Sequence, residues 1–176
     1  MLTRRGALLA GLGLAAPALL SGTARASTHE TRVLAFHNLH TGEALTIEYW
    51  QNGAIPADAA EAVSHILRDH RTGETHAIDV GLLDLLHNLS GALPITRPFQ
   101  VISGYRSPQT NATLADASSG VARRSLHMQG MAIDIAIEGL ATSTLRDAAL
   151  ALRGGGVGYY PDPGFVHVDV GRLRQW

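Results

Sequence analysis

The chain has 176 residues, of which 45% are hydrophobic and 16% are charged, so it can build one domain with a sizeable core. It contains neither cysteine nor lysine, which excludes disulfides, thiolate chemistry and lysine-based covalent catalysis. Its formal net charge of −1, without a basic cluster, argues against nucleic acid as a partner.

The first 26 residues have the features of a signal peptide. A basic start with Arg4 and Arg5 precedes an uncharged run over 6–20, which is shorter than the about 20 residues of a membrane span. Ala24 and Ala26 supply the small residues that a signal peptidase requires, and the paired arginines resemble the twin-arginine export motif. We predict a twin-arginine-type signal peptide over 1–26, a periplasmic location, and no stable membrane insertion after cleavage. An ordinary secretory leader or an uncleaved anchor is the alternative.

Periodicity along the rest of the chain predicts helices first and most strands later. The leading elements are a hairpin of two strands, 33–37 and 44–50, a helix that starts at Pro56 and stops near 71–73, and a helix over about 80–89. The later elements are a strand over 99–102, a polar corner over 103–108, a short helix over 109–116, a loop over 118–126, a strand over 131–137, a helix over 143–153, and strands over 157–160 and 165–170. Without regular βαβ alternation, this order favours an α+β fold: a small single domain, 27–176, with a central antiparallel sheet flanked by helices.

His127 and Asp134 are the first candidate metal ligands. Asp134 lies within an apolar strand, where a carboxylate is costly to bury unless a cation or hydrogen-bond donors meet it. Without thiolates, a metal in this chain has to rest on imidazole and carboxylate, and zinc accepts both. Gly130 lets the chain turn between His127 and the strand, so that the two side chains can converge. Taken alone, the motif is equally compatible with Asp134 pairing with Arg106 and His127 lying on the surface.

A third candidate ligand, His167, lies on the last predicted strand. Because side chains alternate along a strand, Phe165, His167 and Asp169 project from one face. An imidazole and a carboxylate two positions apart can serve as ligand and base, or as ligand and orienting partner. A strand edge that turns a polar face to water explains the same pattern. Combined with the first motif, however, two histidines and one carboxylate leave the fourth position of zinc open for water.

The polar corner and the two histidine motifs form an ordered set. Its members are Ser103-Gly104-Tyr105-Arg106-Ser107, Ser125-Leu126-His127 with Asp134 seven residues on, and Phe165-Val166-His167-Val168-Asp169. The set resembles the zinc peptidases of the LAS superfamily, which groups D-alanyl-D-alanine carboxypeptidases with lysostaphin, and within it the murein endopeptidase K family. The similarity runs through nearly the whole chain after the leader. It implies a hedgehog/D-Ala-D-Ala-peptidase-like fold and an action on peptidoglycan (murein) peptides outside the cytoplasmic membrane.

The resemblance also implies roles for individual residues. The Zn²⁺ ligands would be His127, Asp134 and His167, and Arg106 would face the substrate or the developing oxyanion. The residues that would contact substrate are Ser125, Gln109 and Tyr105.

The general base has no matching residue. Several relatives place an acidic residue three positions before the last histidine, where this chain has Gly164. The base then has to come from Asp169, which shares the strand face of His167, or from Asp162 in the preceding loop.

Two further features near the last strands have a plain structural interpretation. Gly154-Gly155-Gly156 follow a predicted helix and indicate its stop with a flexible turn. Tyr159 and Tyr160 either line the cleft or pack into the core, and the sequence leaves the choice open.

The leading functional hypothesis is a monomeric, zinc-dependent murein endopeptidase that hydrolyses peptide cross-links of peptidoglycan with a metal-activated water. One alternative is a carboxypeptidase that releases a terminal D-amino acid, with Arg106 clamping the free carboxylate. The other alternative is a non-catalytic, zinc-bearing module that binds the cell wall.

Overall fold

The computed structural model describes residues 30–94, 96–117 and 120–176, and within them the chain forms seven strands and four α-helices. The strands are β1 (Arg32–Asn38), β2 (Ala44–Trp50), β3 (Phe99–Ser103), β4 (Ala132–Ile137), β5 (Gly156–Tyr160), β6 (Phe165–Asp169) and β7 (Arg174–Gln175). The helices are α1 (Ala57–Ile66), α2 (Val80–Ala92), α3 (Pro108–Ala117) and α4 (Thr142–Leu152). The predicted signal peptide lies outside the described residues. Among the residues that are described, no helix has both the length and the apolar character needed to cross a bilayer.

The described strands form a mixed sheet in the order β2-β1-β3-β4-β6-β5-β7. Its centre is antiparallel, from β3 through β4 and β6 to β5, and the predicted hairpin of β1 and β2 is antiparallel as well. The pairs β1–β3 and β5–β7 are parallel. The predicted α+β class with an antiparallel centre is therefore confirmed. The parallel pairs at the flanks were not predicted, and β7 is too short to show any alternation in the sequence.

The two faces of the sheet differ in polarity: one packs into the apolar core and the other carries polar side chains. One face carries the fully buried Ile133, Ile135, Val166 and Val168. Helix α4 packs against these strands, and α2 packs against α4 and β1. Burying one such side chain stabilises the fold by about 1.5–3 kcal/mol. Because side chains alternate along each strand, the residues between these point to the opposite face. The sheet is thus anchored by its helical side and is free to present polar groups on the other.

Two local elements differ from the prediction. Helix α1 ends at Ile66, earlier than predicted, because the next residues form turns around the buried Asp69, whose carboxylate accepts a hydrogen bond from the N–H of Arg71 at 2.9 Å. The predicted loop over 118–126 leads into a short 3₁₀ helix, Leu126–Gln129, which has too few residues for a periodic signal.

Candidate active site

Three neighbouring strands place polar residues in one row across the sheet, and a glycine of the fourth strand continues the row. Ser103 of β3 pairs with Asp134 of β4, Asp134 pairs with His167 of β6, and His167 pairs with Gly158 of β5. Directly opposed residues project from the same face, with Cβ atoms about 4.5–5.5 Å apart. The register therefore brings a carboxylate and an imidazole side by side on the face away from the core.

His127 reaches this row from the 3₁₀ helix. The hydroxyl oxygen of Ser125 caps that helix by accepting a hydrogen bond from the N–H of His127 at 3.4 Å. Gly130 ends the helix with a φ of 64°, and a Cβ at this position would lie 2.2 Å from the carbonyl oxygen of Ala77. Both the turn and the close approach require glycine, so Gly130 fixes where the loop delivers His127.

The three predicted ligands converge at the floor of this face. The Nε2 atom of His127 lies 3.1 Å from Nδ1 of His167 and 3.3 Å from Oδ1 of Asp134, and that Oδ1 lies 2.8 Å from Nδ1 of His167. His127, His167 and Asp134 are 2%, 9% and 7% exposed as whole residues, respectively. Among the described residues, they are the one group of histidine and carboxylate side chains arranged to hold a metal ion.

Hydrogen bonds on the outer sides of the two imidazoles fix their tautomers. The Nδ1 of His127 lies 2.7 Å from the carbonyl oxygen of Gly104, which can only accept, so this nitrogen carries the proton. The Nε2 of His167 lies 2.9 Å from Oδ2 of Asp169 and donates to it in the same way. In its neutral form, each ring then turns a lone pair toward the carboxylate oxygen of Asp134. Three acceptor atoms about 3 Å apart repel one another unless a cation lies between them, and this donor set suits a metal ion.

Protons on the imidazoles can take the place of that cation, and the pKa shifts of the cluster reflect this pairing with Asp134. Burial alone would raise the pKa of Asp134, but the charge of His127 and hydrogen bonds with both histidines outweigh it and hold the pKa well below its usual value. Burial lowers the pKa of His167, and hydrogen bonds with Asp134 and Asp169 outweigh that effect and raise it. Asp134 is therefore an anion, and the cluster attracts positive charge.

Asp169 lies behind His167, on the side away from the other ligands. Its carboxylate is fully buried and forms a two-fold ion pair with Arg174, with distances of 3.0 and 2.6 Å. The N–H groups of Gly156 and Gly171 donate to Oδ1 at 3.1 and 2.8 Å. Burial would raise the pKa of Asp169, but the hydrogen bonds with His167 and Arg174 outweigh it and lower the pKa. Of the two roles that the sequence allows, this geometry favours the orienting partner.

Arg106 occupies the other side of the ligand row. Its side chain is buried, and Nη2 lies 3.2 Å from the hydroxyl oxygen of Ser103 and 3.5 Å from Oδ2 of Asp134. The polar corner over 103–108, which carries Arg106, is attached to the end of α1, because the N–H of Tyr105 donates to the carbonyl of Leu67 at 2.7 Å. Arg106 is thus fixed beside the ligand carboxylate and still lines the cleft.

Asp69 is the second clamp on this corner, and its replacement by asparagine is expected to weaken the fold. Its buried carboxylate accepts hydrogen bonds from the N–H groups of Ser107 and Arg71, both at 2.9 Å. Burial would raise the pKa of Asp69, but these bonds and one from the Thr110 side chain outweigh it and lower the pKa. We expect Asp69→Asn to lower the free energy of unfolding by about 1–3 kcal/mol at pH 7.

The pH dependence of that loss follows from the direction of the pKa shift. A carboxylate with a lowered folded-state pKa stabilises the fold fully above its unfolded pKa of about 3.9, and this contribution disappears as the pH falls through the folded-state value. Urea unfolding should therefore show a difference between wild type and Asp69→Asn that shrinks below about pH 4. The exposed Asp58, replaced in the same way, serves as the control. An equal loss of unfolding free energy in both variants, or a loss that grows in acid, would contradict a stabilising role for the Asp69 carboxylate.

A cleft of about 450 Å³ opens above the ligands. Its lining includes the three ligands and Arg106, Ser125, Arg124, Tyr160, Phe165, Arg174 and Trp176. Of the residues predicted to contact substrate, only Ser125 belongs to it. Tyr105 is buried and stacks on His76 with ring centroids 4.8 Å apart, and Gln109 is exposed on α3. Asp162 is exposed in the turn between β5 and β6 and is not part of the lining.

The sequence interpretation missed how the chain's last residues complete the cleft. Strand β7 brings Arg174 against Asp169 and places the Trp176 ring 5.2 Å from that of His167. Two glycines of β5 make the room: a Cβ on Gly158 would lie 2.7 Å from the Trp176 ring, and one on Gly156 would lie 2.5 Å from Asp169 and Arg174. Gly156, the last residue of the glycine run that was predicted to stop the helix, is therefore also needed for close packing.

Comparisons with known proteins point to one family. A family model described as Peptidoglycan L,D-endopeptidase MepK matches residues 26–176. The proteins of that name from Escherichia coli K12 and Shigella flexneri are each 44% identical over 169 residues, which cover 96% of this chain and 93% of theirs. A Haemophilus influenzae protein named "Probable peptidoglycan L,D-endopeptidase MepK" is 38% identical over 154 residues, or 87% of this chain and 83% of its own length. No solved structure matches the chain.

Proposed function

Because the chain belongs to the family of peptidoglycan L,D-endopeptidase MepK, we propose that it is a zinc-dependent endopeptidase that hydrolyses L,D cross-links between peptidoglycan stem peptides. The observation that carries the proposal is the convergence of three lone-pair atoms, from His127, Asp134 and His167, on the floor of an open cleft. We further propose that the protein reaches the periplasm by a twin-arginine signal over 1–26 and acts there as a monomer.

The donor set fits zinc. Zinc accepts imidazole nitrogen and carboxylate oxygen at about 2.0–2.2 Å, so neighbouring ligand atoms in a tetrahedral site lie about 3.3 Å apart. The three ligand atoms here are 2.8–3.3 Å apart, without any rearrangement of the chain. Three protein ligands leave a fourth position for water. When bound, zinc supplies a Lewis acid and a water molecule of lowered pKa.

The protein groups around the ligands divide the remaining tasks. Gly104 and Asp169 hold the protons of the two imidazoles on their outer nitrogens, which keeps the inner lone pairs directed at the metal position. Arg106 places its guanidinium beside Oδ2 of Asp134. From there it can bind the carbonyl oxygen of the scissile bond and stabilise the negative charge that develops on that oxygen.

Asp169→Asn separates an orienting role from that of a general base. As the orienting partner, Asp169 loses its charge and its grip on both Arg174 and His167, so we expect zinc affinity to fall by about 10- to 100-fold. Competition with a chromogenic chelator measures this affinity directly. Unchanged zinc affinity together with a collapse of kcat would instead identify Asp169 as the base. Asp162→Asn tests the other candidate for the base: if Asp162 has that role, kcat should fall while zinc affinity stays unchanged. Asp116→Asn, at an exposed residue outside the cleft lining, is the control and should leave both quantities at the wild-type value.

The product of digestion separates endopeptidase from carboxypeptidase action. We expect the metal-loaded protein to convert L,D-cross-linked muropeptide dimers into monomers, as seen by mass spectrometry, and to leave the terminal residue of uncross-linked stem peptides in place. Release of single amino acids would support the carboxypeptidase. Retention on the cell wall without any product would support the binding module.

A further inference from the structure

An aromatic wall faces Arg106 across the ligand row. In the sheet order β3-β4-β6-β5, Arg106 follows the end of β3, whereas Tyr160 lies at the end of β5. Tyr160 pairs with Phe165 of β6, and the two rings stack with centroids 4.6 Å apart. Trp176 adds its ring beside His167, and all three aromatic residues line the same cleft as the ligands.

The two tyrosines of β5 lie on opposite faces of the sheet. Tyr159 pairs with the buried Val166 and therefore points to the helical side, where the guanidinium of Arg146 lies 4.4 Å from its ring. Tyr160 points to the cleft. The sequence left open whether these tyrosines line the cleft or pack into the core. Tyr159 lies on the core side, and Tyr160 lines the cleft.

The hydrogen bond that the Tyr160 hydroxyl accepts leaves its own proton available for donation. The indole Nε1 of Trp176, which can only donate, gives a hydrogen bond of 2.7 Å to the hydroxyl oxygen of Tyr160. This bond occupies an acceptor site of the phenol and leaves its own proton free. In the part of the chain that the structure describes, no group accepts that proton. Tyr160 is half-buried at the cleft surface, so a molecule in the cleft is the partner within reach.

The ligand side chains direct acceptor atoms, and not donors, at the metal position. Among the described residues that line the cleft, Asp134 is the one carboxylate and the two histidines are metal ligands, so none of these has a proton to offer. Burial lowers the pKa of Arg106 against the opposing effect of the Asp134 charge, and the guanidinium lines the cleft together with Tyr160. A peptide that crosses the ligands therefore has a donor on either side.

We infer that Tyr160 is a further catalytic residue, whose hydroxyl donates a hydrogen bond to a substrate oxygen at the scissile peptide bond, and that Trp176 is the residue that positions it. This inference rests on the proposed endopeptidase function. No proton is transferred: the phenol keeps its O–H bond, and the hydrogen bond strengthens as negative charge develops on the substrate oxygen. Its contribution should therefore be larger in the transition state than in the bound substrate.

Tyr160→Phe tests this inference, with Tyr159→Phe as its matched control. Both variants lose one hydroxyl group from adjacent residues of the same strand. In the full, zinc-loaded chain acting on an L,D-cross-linked dimer, we expect Tyr160→Phe to lower kcat by about 10- to 100-fold and to change KM by less than about threefold. Trp176→Phe keeps a ring but removes the donor to Tyr160, so a smaller fall in kcat of about 3- to 10-fold is expected. Tyr159→Phe should match the wild type.

The possible outcomes are distinguishable. A Tyr160→Phe protein with wild-type kcat would overturn the inference while leaving the endopeptidase function intact. A fall in kcat that follows a loss of bound zinc or of thermal stability, both measured on the same samples, would also overturn it, because the hydroxyl would then be structural. If the wild type itself leaves the dimer uncut, the proposed function fails, and the inference fails with it.

Discussion

Replacing His167 with alanine is expected to abolish hydrolysis and the binding of one equivalent of zinc. The variant loses the lone pair of Nδ1 and removes one of the hydrogen-bond partners of Asp169, the one at 2.9 Å. Without the metal, the attacking water loses the lowered pKa that zinc would give it, so the rate should fall by more than about 10³-fold. Muropeptide analysis and metal analysis of the purified protein measure the two losses together.

His65→Ala is the control for that experiment. His65 lies on α1 with 60% of its side chain exposed and lies 3.5 Å from Glu43, so its removal should change neither zinc content nor rate. A His167→Ala protein that kept one tightly bound zinc and the wild-type rate would show that the ligand assignment is wrong.

Arg106→Met is expected to retain zinc and to lose about 10²- to 10³-fold in kcat/KM, because it removes a positive charge from the place where negative charge develops. Methionine fills much of the same buried volume, so the fold should tolerate it. Arg106→Lys keeps the charge but loses the planar fork, and part of the activity should return.

Arg123→Met is the matched control for Arg106. Arg123 is exposed, lies 3.2 Å from Asp116, and does not line the cleft, although its neighbour Arg124 does. Its replacement should leave kcat/KM unchanged. Wild-type kcat/KM in Arg106→Met would contradict a role for the guanidinium in stabilising charge.

The site could be predicted from sequence where local rules determine which way a side chain points. Alternation along a strand puts His167 and Asp169 on the face opposite the buried valines, and the apolar neighbours of Asp134 mark it as a costly carboxylate in need of a cation. The α+β class could be predicted as well, because the order of the elements lacks regular βαβ alternation. Local patterns and the resemblance together pointed to the three side chains that the structure brings together.

The rest of the cleft depends on long-range pairing that leaves no local pattern. Arg174 and Trp176 take their places because the two-residue strand β7 pairs in parallel with β5, and a pair of residues carries no periodicity. Gly158 and Gly156 are needed for the room that these side chains occupy, which becomes visible only once the sheet is assembled. The geometry that favours an orienting role for Asp169 likewise depends on its ion pair with Arg174, which no local pattern indicates.

The most direct test of the central claim is the rate of L,D-dimer hydrolysis as zinc is added back to metal-free protein. We expect no hydrolysis without metal, a linear rise with added zinc, and a plateau at one equivalent, with monomeric muropeptides as the product. Full activity of the metal-free protein, or no hydrolysis at one bound equivalent of zinc, would contradict a peptidase built on His127, Asp134 and His167.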